Sequence, residues 1–308
     1  MLGALVGDAA GTRLEFLERL PTDEEVSEAL AMPGGGPWGV APGQVTDDGE
    51  MTIALLRALS EDGAFDLDRI AGQYRRWFES SPFDVGGTIR ATIGAAANAA
   101  GMQRAAQRHL ASKANGSLMR CSPLGVWGHA LQVDELANCA RLDSALSHAN
   151  PSCQDAVACY VIATAGLIRE GGDRRIAFEA AADWAAEHAC EEVREWLRLS
   201  GTDEEAVPGF PQPGFVKIAF VHAFRHLRRG TDYVEAVRSV LAIGGDTDTD
   251  ACIVGGLIGA AVGADKIPEA LRAPVLDCDT RRGQPRPEWL HPREVPDLVR
   301  RLTSASAL

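Results

Sequence analysis

The chain has 308 residues, and its seven cysteines, irregularly spaced, include no CxxC pair. Neither a disulfide framework nor a thiolate zinc site is expected, and the cysteines read as reduced, buried, small apolar residues. Lysine is scarce: only Lys113, Lys217 and Lys266 among 30 basic residues, leaving 27 arginines, within a net charge of −13. The acid excess argues against a nucleic-acid groove or binding to an anionic membrane. The arginine bias carries no functional weight. No serine or cysteine occupies a GxSxG-type nucleophile motif, and a Walker loop and a post-strand GxGxxG are both missing, so acyl-enzyme chemistry has no support. The longest apolar run, 251–264, falls short of the ~20 residues of a membrane span. Residues 1–8 lack a basic leader, and a cytoplasmic protein is expected.

Strand-like alternation is also scarce. Apolar residues recur at three- and four-residue spacing over 51–60, 68–79, 88–108, 133–145, 153–169, 174–189, 215–228, 233–242, 250–264 and 294–302, which predicts an all-α chain. The Gly/Pro-rich stretches 33–39 and 208–214 are too short for flexible tethers and read as ordered loops. One domain over 1–308 is expected. Gly255, Gly256, Gly259 and Gly263 suit close helix approach.

What the sequence does hold is a pair of acidic, threonine-bearing clusters about two hundred residues apart. They are Thr46-Asp47-Asp48-Gly49-Glu50-Met51 and Gly244-Gly245-Asp246-Thr247-Asp248-Thr249-Asp250, each at the start of an apolar helix. Asp47 with Glu50, and Thr247 with Asp250, have capping-box spacing, so each cluster alone reads as a helix cap. A cap needs one oxygen, however, and each cluster supplies several. Adjacent and alternate residues converge only from a loop or first turn, which favours ligation. Carboxylates and threonine hydroxyls are hard donors suited to Mg²⁺ or Mn²⁺, as one ion or two. The twelve-residue calcium ladder ending in Glu is absent.

Four other segments are more polar or glycine-rich than connectors need be. Glu15 follows a small-residue helix that begins near Gly7-Asp8, and its bland alternative is a solvated surface carboxylate. Asp84-Val85-Gly86-Gly87-Thr88 is a glycine turn entering a helix, equally readable as a plain Asp cap. Asn115-Gly116-Ser117-Leu118-Met119-Arg120 offers amide and hydroxyl donors to a phosphate or sugar, or is an ordinary Asn-Gly turn. Ser147-His148-Ala149-Asn150-Pro151 places His148 before a helix start, where a lone histidine is more often structural.

Taken in order, these segments resemble the ADP-ribosylglycohydrolase family, which includes dinitrogenase reductase-activating glycohydrolases and ADP-ribosylarginine hydrolases. The likeness runs from Gly7 to Gly263 and rests on Thr46-Asp47-Asp48 with Met51, Asn115-Gly116 with Met119-Arg120, and the Gly244–Thr249 run. It implies an orthogonal all-α fold with a cleft holding two Mg²⁺ or Mn²⁺ ions. By motif match the ligands would be Thr46, Asp47, Asp48, Asp246, Asp248 and Thr249, with Asp246 or Asp248 bridging or acting through water. Glu15 and Asp84 would serve the chemistry at the scissile bond. Gly86, Asn115, Gly116, Ser117 and Met119 would bind substrate, with His148 at the distal ribose. The implied reaction is hydrolytic removal of ADP-ribose from an arginine of a modified protein. Serine-linked or free ADP-ribose derivatives are the alternative substrates, and a protein that only sequesters ADP-ribosylated partners is the alternative class. Two positions depart from the family pattern. Gly49 stands where a second threonine is usual, which would loosen the loop or admit a water, and Asp250 adds a charge that would alter metal preference.

Overall fold

The computed structural model describes residues 1–202 and 207–305; positions 203–206 and 306–308 of the expected 1–308 domain lie outside the described residues. Among the described residues there are sixteen α-helices: α1 (Leu2–Gly11), α2 (Asp23–Leu30), α3 (Asp47–Ser60), α4 (Leu67–Glu79), α5 (Gly87–Thr92), α6 (Ala99–Gln107), α7 (Ser122–Trp127), α8 (Val133–Ser144), α9 (Pro151–Arg169), α10 (Arg174–His188), α11 (Glu191–Ser200), α12 (Val216–Arg229), α13 (Tyr233–Leu241), α14 (Thr247–Val262), α15 (Glu269–Leu276) and α16 (Val295–Ala305). The described residues contain no strand, only two isolated bridges, Gly35 with Val40 and Ala114 with Phe215. The fold is all-α, as the periodicity predicts.

The differences lie where local signals are short. The expected helix over 88–108 is two helices, because Thr92–Ile93–Gly94 closes in a turn and Asn98 restarts the chain by accepting from the Gly101 N–H. Gly94 also lies against Phe78, where a Cβ would come within 2.5 Å of the ring. Helices α2, α7, α11 and α15 have 6 to 10 residues, too few turns to show a period. Helix α9 begins at Asn150-Pro151, where the Asn150 side chain accepts from Ser152 N at 2.9 Å and proline fills the first helical position. Its 19 residues are apolar enough to cross a membrane by composition, but 83% of that window is buried inside the protein. Core packing accounts for its apolarity.

Helices α1 and α14 pack backbone against backbone, and glycine makes it possible. A Cβ at Gly3 would lie 2.3 Å from the Gly255 carbonyl oxygen, one at Gly7 2.0 Å from that of Ala251, and one at Gly11 2.3 Å from that of Thr247. Gly259 packs on Gly3 and Gly256 on the Tyr160 hydroxyl, whereas a Cβ at Gly263 would meet nothing: its φ of +86° ends α14 instead. Replacing Gly7 with Ala forces the two backbones apart. The expected cost is roughly 1–3 kcal/mol or more, read as a lower denaturant midpoint at unchanged slope; an unaltered midpoint would show that the contact can yield.

Candidate metal centre and cleft

The first acidic cluster is capped from outside its own helix. Thr46 is the extended residue before α3, yet its side chain makes no cap bond to the helix. Instead Asp8, on α1, accepts from Thr46 N at 3.0 Å, Thr46 Oγ1 at 2.9 Å and Gly49 N at 2.8 Å. Asp47 and Asp48 are thereby released from capping. The Asp47–Glu50 capping box does not form: buried Glu50 accepts from Arg286 at 2.7 and 2.9 Å and from Trp77 Nε1 at 2.8 Å. Nor does Gly49 loosen the loop or leave room for water. A Cβ there would lie 2.7 Å from both Asp8 Oδ2 and Val45 Cβ, so the Asp8 carboxylate fills the space.

The second cluster joins the first across the α1–α14 contact. Thr247 Oγ1 donates to the Gly11 carbonyl at 2.8 Å, and Thr249 Oγ1 and Thr46 Oγ1 lie 3.4 Å and 3.1 Å from Asp48 Oδ2. Asp246 Oδ2 accepts from the Asn115 amide at 2.8 Å. Asp250 forms no capping box with Thr247; it is buried with neither oxygen partnered, and it does not line the cleft.

Over these clusters lies a cleft of about 620 Å³. Of the residues singled out in the sequence, Glu15, Asp47, Asp84, Gly86, Asn115, Gly116, Met119, His148, Asp246, Asp248 and Thr249 line it. Thr46, Asp48 and Ser117 do not. Thr46 and Asp48 lie beneath the floor, and the Ser117 hydroxyl accepts from Ser144 at 2.9 Å behind the wall. Glu15, Asp84 and Asp248 each bring one carboxylate oxygen within 4.8 Å of the others. Glu15 is therefore no solvated surface residue: it is buried, and Trp38 Nε1 donates to it at 2.7 Å. Trp38 and Phe210, which also line the cleft, come from the two Gly/Pro-rich loops; the first of these is clasped by paired bonds between Gly35 and Val40. The sequence shows those loops only as ordered connectors and marks no role for Asp8.

A profile of the ADP-ribosylglycohydrolase family matches residues 1–306. The chain belongs to this family. An Acanthamoeba polyphaga mimivirus protein named as an ADP-ribosyl glycohydrolase is 28% identical over 90% of each chain. The ADP-ribosyl-[dinitrogen reductase] glycohydrolase of Rhodospirillum rubrum is 29% identical, over 87% of this chain and 85% of that one. An ADP-ribosylarginine hydrolase of Pseudomonas putida is 31% identical, over 48% of this chain and 44% of its own. A solved structure of an ADP-ribosylglycohydrolase-related protein complex superposes with a TM-score of 0.77 at 26% identity, covering 99% of this chain and 97% of that one.

The residues of the cleft fit a divalent cation. Among the described residues no lysine or arginine lines the cleft, and buried Asp48 Oδ1 has no hydrogen-bond partner. Unpaired buried carboxylates are costly, so they take up protons or a cation. Burial, with the neighbouring acids adding to it, pushes Asp84 up to about 7 and Glu15 up to about 8. Burial likewise carries Asp47, Asp48 and Asp248 well above the carboxylate range. Asp8 rises to about 7 despite its bonds from Thr46 and Gly49.

The pH dependence of stability follows from these directions. In chelator the folded protein retains carboxyl protons that the unfolded chain sheds near pH ~4. The stability they lend is full below that pH and is lost as pH rises through the folded values. The Met1 amine, lowered by burial to about 6, opposes this with one proton. Between roughly pH 7.5 and 8.5, where histidines are largely neutral in both states, Tm in chelator is expected to fall. Saturating Mg²⁺ or Mn²⁺ should raise Tm most at the upper end, where cation replaces proton. A Tm indifferent to both pH and metal would contradict a cation site.

Proposed function

We propose that a single domain spanning 1–308 is a Mg²⁺- or Mn²⁺-dependent hydrolase that removes ADP-ribose from arginine side chains of modified proteins in the cytoplasm. One observation carries the reading: Glu15, Asp84 and Asp248 converge within 4.8 Å in a cleft free of basic side chains among the described residues, in a chain of the ADP-ribosylglycohydrolase family. The arginine linkage draws support from the Pseudomonas putida relative, whose name states that substrate, and from the cleft's acidity, which suits a guanidinium leaving group.

Asp47, Asp48, Asp246 and Asp248, with Thr46 and Thr249, would hold the cations, and their oxygen-only chemistry matches that ligand preference. Bound there, divalent ions supply Lewis acidity and fix the orientation of sugar hydroxyls. Asn115 ties Asp246 to the polar wall through its amide, so the cation cluster and the substrate wall keep one spacing. Trp38 donates to one Glu15 oxygen, and one oxygen of that carboxylate lies within 4.8 Å of Asp84 and Asp248 oxygens. Asp84, only partly buried at the turn before α5, would be the carboxyl that moves a proton at the leaving nitrogen. Trp38 and Phe210 add aromatic rings to the lining of the cleft.

The direct test is release of free ADP-ribose from an arginine-modified protein beside a serine-modified one, each with Mg²⁺, with Mn²⁺ and with chelator. Metal-dependent release from arginine alone is the expected outcome. Release from serine would move the linkage, and binding without release would make the protein a sequestering factor. Asp48→Asn and Asp246→Asn are expected to lower turnover by roughly a hundredfold or more with helical circular dichroism retained. Full turnover in either would remove that residue from the cation site.

A further inference from the structure

Behind the cleft wall lies a buried polar network that the proposed chemistry does not use. Arg120, fully buried, donates from Nε to Asp143 Oδ2 at 3.3 Å and from Nη2 to the Asp143 carbonyl at 2.9 Å. The Tyr74 hydroxyl donates to Asp143 Oδ1 at 2.7 Å, and its ring lies 4.5 Å from the Arg120 guanidinium carbon. The remaining nitrogen, Nη1, donates to Ser147 Oγ at 2.8 Å and to the Gly116 carbonyl at 3.4 Å. Ser147 Oγ in turn lies 2.8 Å from His148 Nδ1.

The direction of that last bond is fixed by elimination. Arg120 is a donor only, so Ser147 Oγ accepts from it. No other acceptor for the fully buried Ser147 hydroxyl exists among the described residues. The serine proton therefore goes to Nδ1, and a neutral imidazole accepting at Nδ1 carries its proton on Nε2. Burial, with Arg120 adding to it, pushes His148 down to about 3, which keeps the ring neutral. Nε2 is buried without a protein partner in a ring that lines the cleft. The neighbouring position suits it: a Cβ at Gly116 would lie 3.1 Å from Cε1 and 3.4 Å from Nε2.

We propose that Arg120 and Ser147 are positioning residues that lock His148 as a hydrogen-bond donor through Nε2, so that the cleft selects an acceptor oxygen of ADP-ribose, on hydroxyl or phosphate, at this point. The proposal rests on the ADP-ribose reading of the cleft. Relaxing the lock lets the ring present a lone pair instead, which an acceptor oxygen repels.

The test combines ring ¹⁵N chemical shifts of His148 with calorimetric binding of ADP-ribose and of ADP to the full chain in saturating Mg²⁺. Wild type is expected to show bare Nδ1 and protonated Nε2, and Ser147→Ala a mixture of tautomers with roughly tenfold weaker ADP-ribose binding. His148→Gln, which keeps an amide donor near the Nε2 position, should stay within about threefold of wild type, while His148→Ala loses about tenfold or more. A loss seen with ADP as well places the acceptor on the diphosphate; a loss confined to ADP-ribose places it on the distal ribose. Protonated Nδ1 in wild type, or unchanged affinity in both Ser147→Ala and His148→Ala, overturns the proposal. If wild type binds no ADP-ribose, the substrate reading fails, and the ¹⁵N shifts still decide the lock.

Discussion

The contact between α1 and α14 sets the distance between the two acidic clusters. It is made between backbones, with Gly3, Gly7 and Gly11 on one side and the carbonyls of Gly255, Ala251 and Thr247 on the other. A contact between side chains can relax by changing rotamer, whereas one between main chains cannot, so the spacing is stiff. Each helix then carries a second connection to the site. From α1, Asp8 reaches the start of α3 and caps it; from α14, Thr249 reaches Asp48. Segments two hundred residues apart in sequence thus share one floor.

That floor is distinguished by the cations it lacks. Elsewhere three buried carboxylates have an arginine, Glu50 with Arg286, Asp143 with Arg120, and Asp155 with Arg141 at 2.6 Å, while Asp250 is left with neither oxygen bonded. Asp8 has peptide and hydroxyl donors in place of a cation. Arginine is therefore plentiful and within reach, since Arg286 meets Glu50 only three residues from Asp47. Its absence from the cleft cannot be a shortage of basic residues. An unpaired buried carboxylate destabilises a fold by more than a paired one returns, and several at one place are tolerable only if protons or metal ions complete them.

Much of this architecture was legible in the sequence, and what was not has a common physical origin. Helical periodicity identified the long elements, and the clusters at 46–51 and 244–250 marked the site, because both signals are local. Capping spacing misled for the same reason: Asp47–Glu50 and Thr247–Asp250 match a box, but Asp8 outcompetes the first from 38 residues away and Asp250 stays unpaired. The role of Gly49 was invisible until the Asp8 carboxylate was seen in the space its side chain would take. Trp38, Phe210 and the Arg120–Ser147–His148 relay escaped notice because each acts through a partner distant in sequence or through a hydroxyl direction. A one-dimensional pattern carries no trace of either.

The two ends of the cleft differ in sign, and one residue joins them. Toward Glu15, Asp84 and Asp248 the walls offer oxygen acceptors suited to cations; toward Gly116 and His148 they offer a donor. Asn115 stands between, its amide on Asp246 and its backbone N–H on the Gly214 carbonyl at 3.0 Å, while Val216 N bonds the Lys113 carbonyl at 3.0 Å. This clasp ties the polar wall to the segment entering α12, so the acceptor end and the donor end hold a fixed separation. Such a cleft favours a ligand with cation-seeking hydroxyls at one end and hydrogen-bond acceptors at the other. ADP-ribose has that distribution, and a ligand of uniform polarity would leave one end of the cleft unmatched.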